Sequence, residues 1–182
     1  NLDKLIKESL VFTYCFGVGQ RSIEGIQACL SGIPPLLGLP FLGVGLELSN
    51  FTKLGYLARN EGYSTLLMQC FHRRSYRVDS IASFIGFENF YGKEDFPEIL
   101  DYKDPDSRGE WDYETFMFLF ERLNRLKEPF LNITLSGTCH GPYPKLPPQF
   151  LKYPHDQEKE TGYLNTLYYA DWSLGEFMKK AK

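Results

Sequence analysis

Leu10-Val11-Phe12-Thr13-Tyr14-Cys15-Phe16 is an apolar run, and Gly17-Val18-Gly19-Gln20-Arg21 after it is a glycine-bearing turn. Ser22-Ile23-Glu24-Gly25-Ile26-Gln27-Ala28-Cys29-Leu30 then sets apolar residues at helical spacing, closed by Gly32 and Pro34-Pro35. The reading is strand over residues 11–16, turn, helix from Ser22. A hydroxyl at such a junction aims at a helix N-terminus, where free N–H groups and the macrodipole favour negative charge. That place suits attack on a phosphorus or sulfur centre. Serine is equally a preferred N-cap residue, so the local pattern alone leaves a structural role open.

Two more apolar runs, Ser64–Gln69 and Phe130–Leu135, read as strands. All three runs are apolar at consecutive positions rather than alternating, which predicts parallel strands covered on both faces. Helical patterns lie between them: a short helix within residues 51–60, and one from Asp112 as N-cap with Phe116, Leu119, Phe120, Leu123 and Leu126 on one face. A last helix carries Leu164, Leu167, Tyr168, Leu174 and Met178 as its stripe. Residues 94–111 and 141–161, rich in Pro, Asp, Lys and Gly, read as surface excursions. The fold class is therefore α/β, a mostly parallel central sheet with helices on both faces.

The 182 residues suffice for one core, and 43% hydrophobic with 24% charged residues is ordinary for a globular chain. A net charge of -3 and no basic stripe argue against a nucleic-acid partner. No apolar run approaches the roughly 18 residues of a spanning helix. Cys15, Cys29, Cys70 and Cys139 form no C-x-x-C, so no zinc pattern exists. Cys15 and Cys70 are expected to be buried free thiols in or at the end of strands.

Five segments in order carry a resemblance. They are Gln20-Arg21-Ser22-Ile23-Glu24-Gly25-Ile26 with Leu30-Ser31-Gly32-Ile33-Pro34-Pro35, then Leu54-Gly55-Tyr56-Leu57 through Glu61-Gly62-Tyr63-Ser64-Thr65. Ile85-Gly86-Phe87-Glu88-Asn89-Phe90-Tyr91 follows, and Pro129-Phe130 through Ser136 with His140-Gly141-Pro142-Tyr143. The fifth is Tyr168-Tyr169-Ala170-Asp171-Trp172-Ser173-Leu174-Gly175-Glu176-Phe177. Together they resemble the sulfatase-like enzymes of the alkaline phosphatase superfamily, most of all lipoteichoic acid synthases and periplasmic glucan phosphoglycerol transferases. In that family a basic residue precedes a nucleophilic threonine; here the pair is Arg21-Ser22.

The resemblance implies a central part of a single sulfatase-like catalytic domain over residues 1–182. The family's early acidic metal ligand and its late Asp-His pair have no counterpart here; the nearest dipeptide is the reversed His155-Asp156. It implies Ser22 as nucleophile and metal contact, with Mn²⁺ or Mg²⁺ expected in the full-length enzyme and absent, with activity, from residues 1–182 alone. Arg21, His72, Arg73, Arg77 and His140 become the substrate-binding set. Its implied partners are a phospholipid head group or a glycan acceptor, at a bacterial inner membrane held by segments outside these residues, with the catalytic domain facing the periplasm or the exterior.

True sulfatases carry a proline and an arginine shortly after the modified residue. Ser22 is followed instead by Ile23-Glu24-Gly25-Ile26, which favours transfer of a phosphoglycerol or phosphoethanolamine group over sulfate ester hydrolysis. A sulfate or phosphate ester hydrolase of the same superfamily, or a binding domain that kept the fold, are the alternatives. The family's substrate-binding histidine near residue 70 falls on Gln69, with His72 three residues later. His140, past a strand's carboxyl end, sits where α/β sheets present functional groups. Ser22, His140 and at least one of His72, Arg73, Arg74 and Arg77 are expected to share a cleft. Asp171, on the apolar stripe of the last helix, is expected to pair with a basic group or a helix N-terminus.

Overall fold

A computed structural model describes residues 1–102 and 111–182. Its centre is a three-stranded parallel sheet of β1 (Ser64–Gln69), β2 (Asn89–Tyr91) and β3 (Phe130–Leu135), in the order β2-β1-β3. Leu66 pairs with Asn89 on one side and with Asn132 on the other, so β1 is laddered along both edges. From Thr65 to Gln69 it is also buried throughout, which explains its lack of alternation.

Successive side chains of β1 face opposite layers. Leu67 packs with α2 (Ser22–Ser31) through Ile23 and Leu30, and with α4 (Val78–Ile85) through Val78, Ile81, Ala82 and Ile85. Leu66 and Met68 meet Phe118 and Leu119 of α5 (Asp112–Leu123) and Phe177 of α6 (Glu160–Ala181) on the other face. The expected layering, helices on both faces of a parallel sheet, is the observed one. A third cluster, Trp111, Leu146, Phe150 and Tyr169, lies against α6.

The strand expected over residues 11–16 does not form. After the short helix α1 (Leu2–Ile6) the chain runs without regular structure to Ser22, and Leu10, Phe12, Tyr14 and Phe16 are all more than 70% exposed. An apolar run becomes a strand only where a neighbour satisfies its backbone, and this segment has no ladder partner among the described residues. Cys15 is accordingly exposed, while Cys70 is buried as expected.

The stripe expected on α6 also differs. Its buried residues are Gly162, Asn165, Thr166, Tyr169, Ser173 and Gly175, and Leu167 is exposed. This helix packs against loop backbone as much as against apolar side chains. Asn165 accepts from the N–H groups of Lys152 and Tyr153 and donates to the Tyr153 carbonyl. That binding draws Leu146 and Phe150 into the core, so residues 141–161 are not simply a surface excursion. Trp111 is buried too, and residues 103–110 of the other expected excursion lie outside the described residues. Asp171 accepts from the Leu2 N–H at 2.7 Å, at the start of α1.

The helix expected within residues 51–60 is α3 (Leu54–Asn60), and it approaches α4 closely enough to exclude a side chain. A Cβ at Gly55 would lie 2.6 Å from the Gly86 carbonyl carbon and 2.8 Å from the Phe87 nitrogen. Those neighbours are backbone and cannot swing aside. Gly55→Ala should therefore lower unfolding stability by about 1–3 kcal/mol, read from the urea midpoint. An unchanged midpoint would contradict the close approach.

Candidate active site

The first turn of α2 is organised by Glu24. Its carboxylate accepts from the N–H groups of Gln20 at 2.8 Å and Arg21 at 3.1 Å, and from Arg21 Nε at 2.9 Å. Arg21, not Ser22, is the N-cap residue; its guanidinium cannot accept, so the capping box is one-sided, with Glu24 at the third helical position accepting from the Arg21 N–H. Ser22 is thus released from the capping role its residue type suggests. Among the described residues its exposed hydroxyl makes no hydrogen bond, and the N–H groups of Ser22 and Ile23 precede the first intrahelical acceptor.

Two cavities, of about 910 and 550 Å³, meet at Ser22, Ile26, Tyr76 and His140. The larger is walled by Arg21, Arg77 and the segment from Phe41 to Leu48. The smaller runs beneath it to Gln69 and Leu135, the last residues of β1 and β3. The cleft therefore lies at the carboxyl ends of the strands, where the expected grouping of Ser22 and His140 is realised, with Arg77 as the member of the basic group that joins them.

His140 Nδ1 lies 2.7 Å from the Gly141 carbonyl oxygen. A carbonyl only accepts, so Nδ1 carries the proton and Nε2 keeps its lone pair in the neutral ring. The ring stands edge-on to Phe71 at 5.6 Å. Arg77 donates to the Gly43 carbonyl at 3.3 Å. Tyr76 and Arg77 both take left-handed backbone angles, φ 54° and 57°. Such residues cost on the order of 1 kcal/mol or more each and gather at functional sites. Gln69 supports the turn that leads to them, donating to the carbonyl oxygens of His72 at 2.6 Å and Arg73 at 3.3 Å.

His72 and Arg73 do not join the cleft. His72 Nδ1 lies 3.1 Å from Glu94 Oε1, and Arg73 pairs with Asp95 and donates to the Phe90 carbonyl. Two carboxylates one turn beyond β2 draw these basic groups to the β2 side, and Arg74 is exposed. The segment that walls the cleft opposite was not legible as site. Buried Gln27 fastens it, donating to Ile33 and Pro34 carbonyls and accepting from the Leu42 N–H. Gly43 and Gly45, both at positive φ, then fold onto the Glu47 carboxylate. The signal was there in the glycines after Pro34-Pro35. Cys139 lines the smaller cavity, but burial pushes its thiol up to about 11, which keeps it protonated and poorly nucleophilic at neutral pH.

The fold, a parallel sheet flanked by helices, is shared with solved domains of the alkaline phosphatase superfamily. A protein of that superfamily from Vibrio parahaemolyticus superposes with a TM-score of 0.82 at 24% identity, covering 99% of this chain and 43% of that one. The lipoteichoic acid synthase LtaP from Listeria monocytogenes gives 0.71 at 20% identity over 91% of this chain and 41% of that one. The C-terminal periplasmic domain of EcEptC from Escherichia coli, in complex with Zn, gives 0.55 at 16% identity, with 89% and 45% covered. The chain matches the family described as Sulfatase over residues 1–182, and it belongs to that family. Phosphoglycerol transferase I of Salmonella choleraesuis (strain SC-B67) is 30% identical over 154 residues, 78% of this chain and 20% of that protein. The chain thus spans about a fifth of that curated relative and under half of each solved structure.

A divalent ion does not fit the residues described. No group of three or more His, Cys, Asp or Glu side chains among them could hold one. The carboxylates nearest the helix start and the cleft wall, Glu24 and Glu47, are already committed to backbone N–H groups. No chemical step below runs through a metal.

The Arg21 N–H, the Arg21 guanidinium and the Gln20 N–H hold the Glu24 carboxyl below its ordinary value of 4.5. A depressed carboxyl stabilises the folded state above its unfolded pKa, and that contribution is lost as pH falls through the folded value. The capping box should therefore persist at neutral pH and open only below about pH 4.5. Amide resonances of Gln20 and Arg21 should titrate there and cease to do so in Glu24→Gln. A midpoint above the ordinary glutamate value would contradict this capping.

Proposed function

We propose that residues 1–182 are the nucleophile-bearing central part of a longer sulfatase-family catalytic domain. The whole enzyme transfers a phosphoglycerol or phosphoethanolamine group from a phosphodiester head group. The observation that carries this reading is the shared cleft: an unpartnered Ser22 hydroxyl at the start of α2 opens into the same space as His140 and Arg77. Membership in the Sulfatase family and the likeness to phosphoglycerol transferase I support it.

In the proposed reaction Ser22 Oγ attacks phosphorus, loses its proton, and forms the new O–P bond. The bond from phosphorus to the diacylglycerol oxygen breaks, so the head-group phosphoryl stays on Ser22 and the diacylglycerol oxygen leaves carrying the proton that Ser22 Oγ gave up. An acceptor hydroxyl or water then displaces Ser22 and regenerates its hydroxyl. The equatorial phosphoryl oxygens gain charge as the transition state forms. Arg77 can meet them with a guanidinium, and the free N–H groups of Ser22 and Ile23 lie at the helix end that favours anions. His140, once protonated at Nε2, adds a second donor. Arg21 lines the same wall, its charge shared with Glu24 at 2.9 Å.

His72 and Arg73 support the 72–77 turn in this reading rather than touching substrate. Divalent ligands would be supplied by sequence outside residues 1–182. Placement at the inner membrane, with the cleft facing the periplasm or exterior, follows from the same reading. Among the described residues no helix is long and apolar enough to cross a membrane.

The test is head-group release from phosphatidylglycerol vesicles by the full-length protein with Mn²⁺. Ser22→Ala should lower turnover by at least about a thousandfold, and Arg77→Ala by on the order of a hundredfold. Undiminished turnover in Ser22→Ala removes the serine as nucleophile. Faster cleavage of an aryl sulfate than of the phosphodiester would favour the ester hydrolase reading, and no turnover of either a binding domain.

A further inference from the structure

His140 reaches the cleft from a loop, yet its position is tightly prescribed. The five residues 136–140 follow β3, and the His140 N–H donates back to the Gly137 carbonyl at 2.9 Å. Gly137 is fixed from two sides. A Cβ there would collide with Cys70 Sγ and with the ring of Phe71, the same ring that stands against His140. On the opposite side lies the Asp112 carboxylate, only 1% exposed. Its Oδ1 accepts from the Gly137 N–H at 2.8 Å and from the Thr138 N–H at 3.1 Å. The Asp112 N–H returns a bond to Thr138 Oγ1 at 2.9 Å.

We infer that Asp112 is a positioning residue for His140: by clamping Gly137 and Thr138 it holds the loop so that the imidazole faces the cleft in its Nδ1-protonated form. The inference rests on His140 being part of the proposed site, but not on the reaction assigned there. The sequence pattern made Asp112 the N-cap of its own helix. The carboxylate instead serves the neighbouring loop, and Trp111 occupies the N-cap position. Burying a carboxyl costs free energy that a plain capping serine at the surface would not incur. Burial accordingly pushes the Asp112 carboxyl above its ordinary range, against the pull of the Gly137 and Thr138 N–H groups. Either protonation state leaves Oδ1 free to accept both bonds, so the clamp needs a planar acceptor rather than a charge.

That distinction sets the test. Asn at this position keeps an acceptor oxygen, whereas Ala removes it. The ring nitrogens of His72, His140 and His155 are to be followed by ¹⁵N NMR, assigned by single His→Gln variants. In the neutral ring of the parent protein, His140 should show a protonated Nδ1 and an unprotonated Nε2. Asp112→Ala should abolish that tautomer preference at His140 and leave His72 and His155 unmoved, while Asp112→Asn should retain it. If Asp112→Ala fails to fold, Asp112→Ser, whose shorter side chain cannot reach both the Gly137 and Thr138 N–H groups, carries the same comparison. An unmoved His140, or equal changes at all three histidines, would overturn the assignment. Loss of phosphodiester turnover for any other reason would leave these signals as they are, so the two readings fail separately.

Discussion

β1 is hydrogen-bonded along both edges and buried on both faces, and every cleft residue is placed relative to its carboxyl end. A strand in that position gives its central side chains to packing. Leu66, Leu67 and Met68 are fully buried and join the two layers of helices. The cleft opens where the ladder stops. Beyond Gln69 the chain turns toward Tyr76 and Arg77, and beyond Leu135 toward His140. Both turns meet because Cys70 donates to the Leu135 carbonyl at 3.0 Å, one step past the last paired residues.

The site is held less by contacts among its members than by buried polar groups behind them. Gln27, Gln69 and Asp112 are each at most 2% exposed, and each spends its side chain on loop backbone. Gln27 fixes the wall from residue 33 to 42, Gln69 the turn at 72–73, and Asp112 the loop at 137–138. A buried amide or carboxyl without such partners would be costly. With them it prescribes one loop conformation, which is what a site assembled from loops requires. Ser22 is the complement of this pattern. Its hydroxyl stays free because the Glu24 carboxylate, not Ser22, holds the backbone of Gln20 and Arg21 that leads into the helix.

How much could be read from the residues follows from the same physics. Ser64–Gln69 and Phe130–Leu135 were legible to the residue from consecutive apolar positions, although only the first is buried on both faces; Phe130–Leu135 is half-buried, with Phe130 exposed. Residues 11–16 gave the same signal and no strand, since apolarity reports a demand for burial and not the presence of a pairing edge. That Ser22, His140 and Arg77 would share one cleft was legible from local context and resemblance. Their separation from His72 and Arg73 was not, because it depends on Glu94 and Asp95, some twenty residues away. The inward face of α6 misled for a related reason: Asn165 faces inward to bind backbone, and hydrophobic periodicity registers only apolar burial.

The central claim is that Ser22 is the group to which phosphorus becomes bonded. Its most direct test is mass spectrometry of the full-length protein, acid-quenched during turnover of phosphatidylglycerol and digested to peptides. The account predicts a glycerophosphoryl adduct on Ser22 itself, which appears and decays with the reaction. An adduct on another residue, or turnover with no covalent intermediate under conditions that trap one on a known serine phosphotransferase, would contradict it.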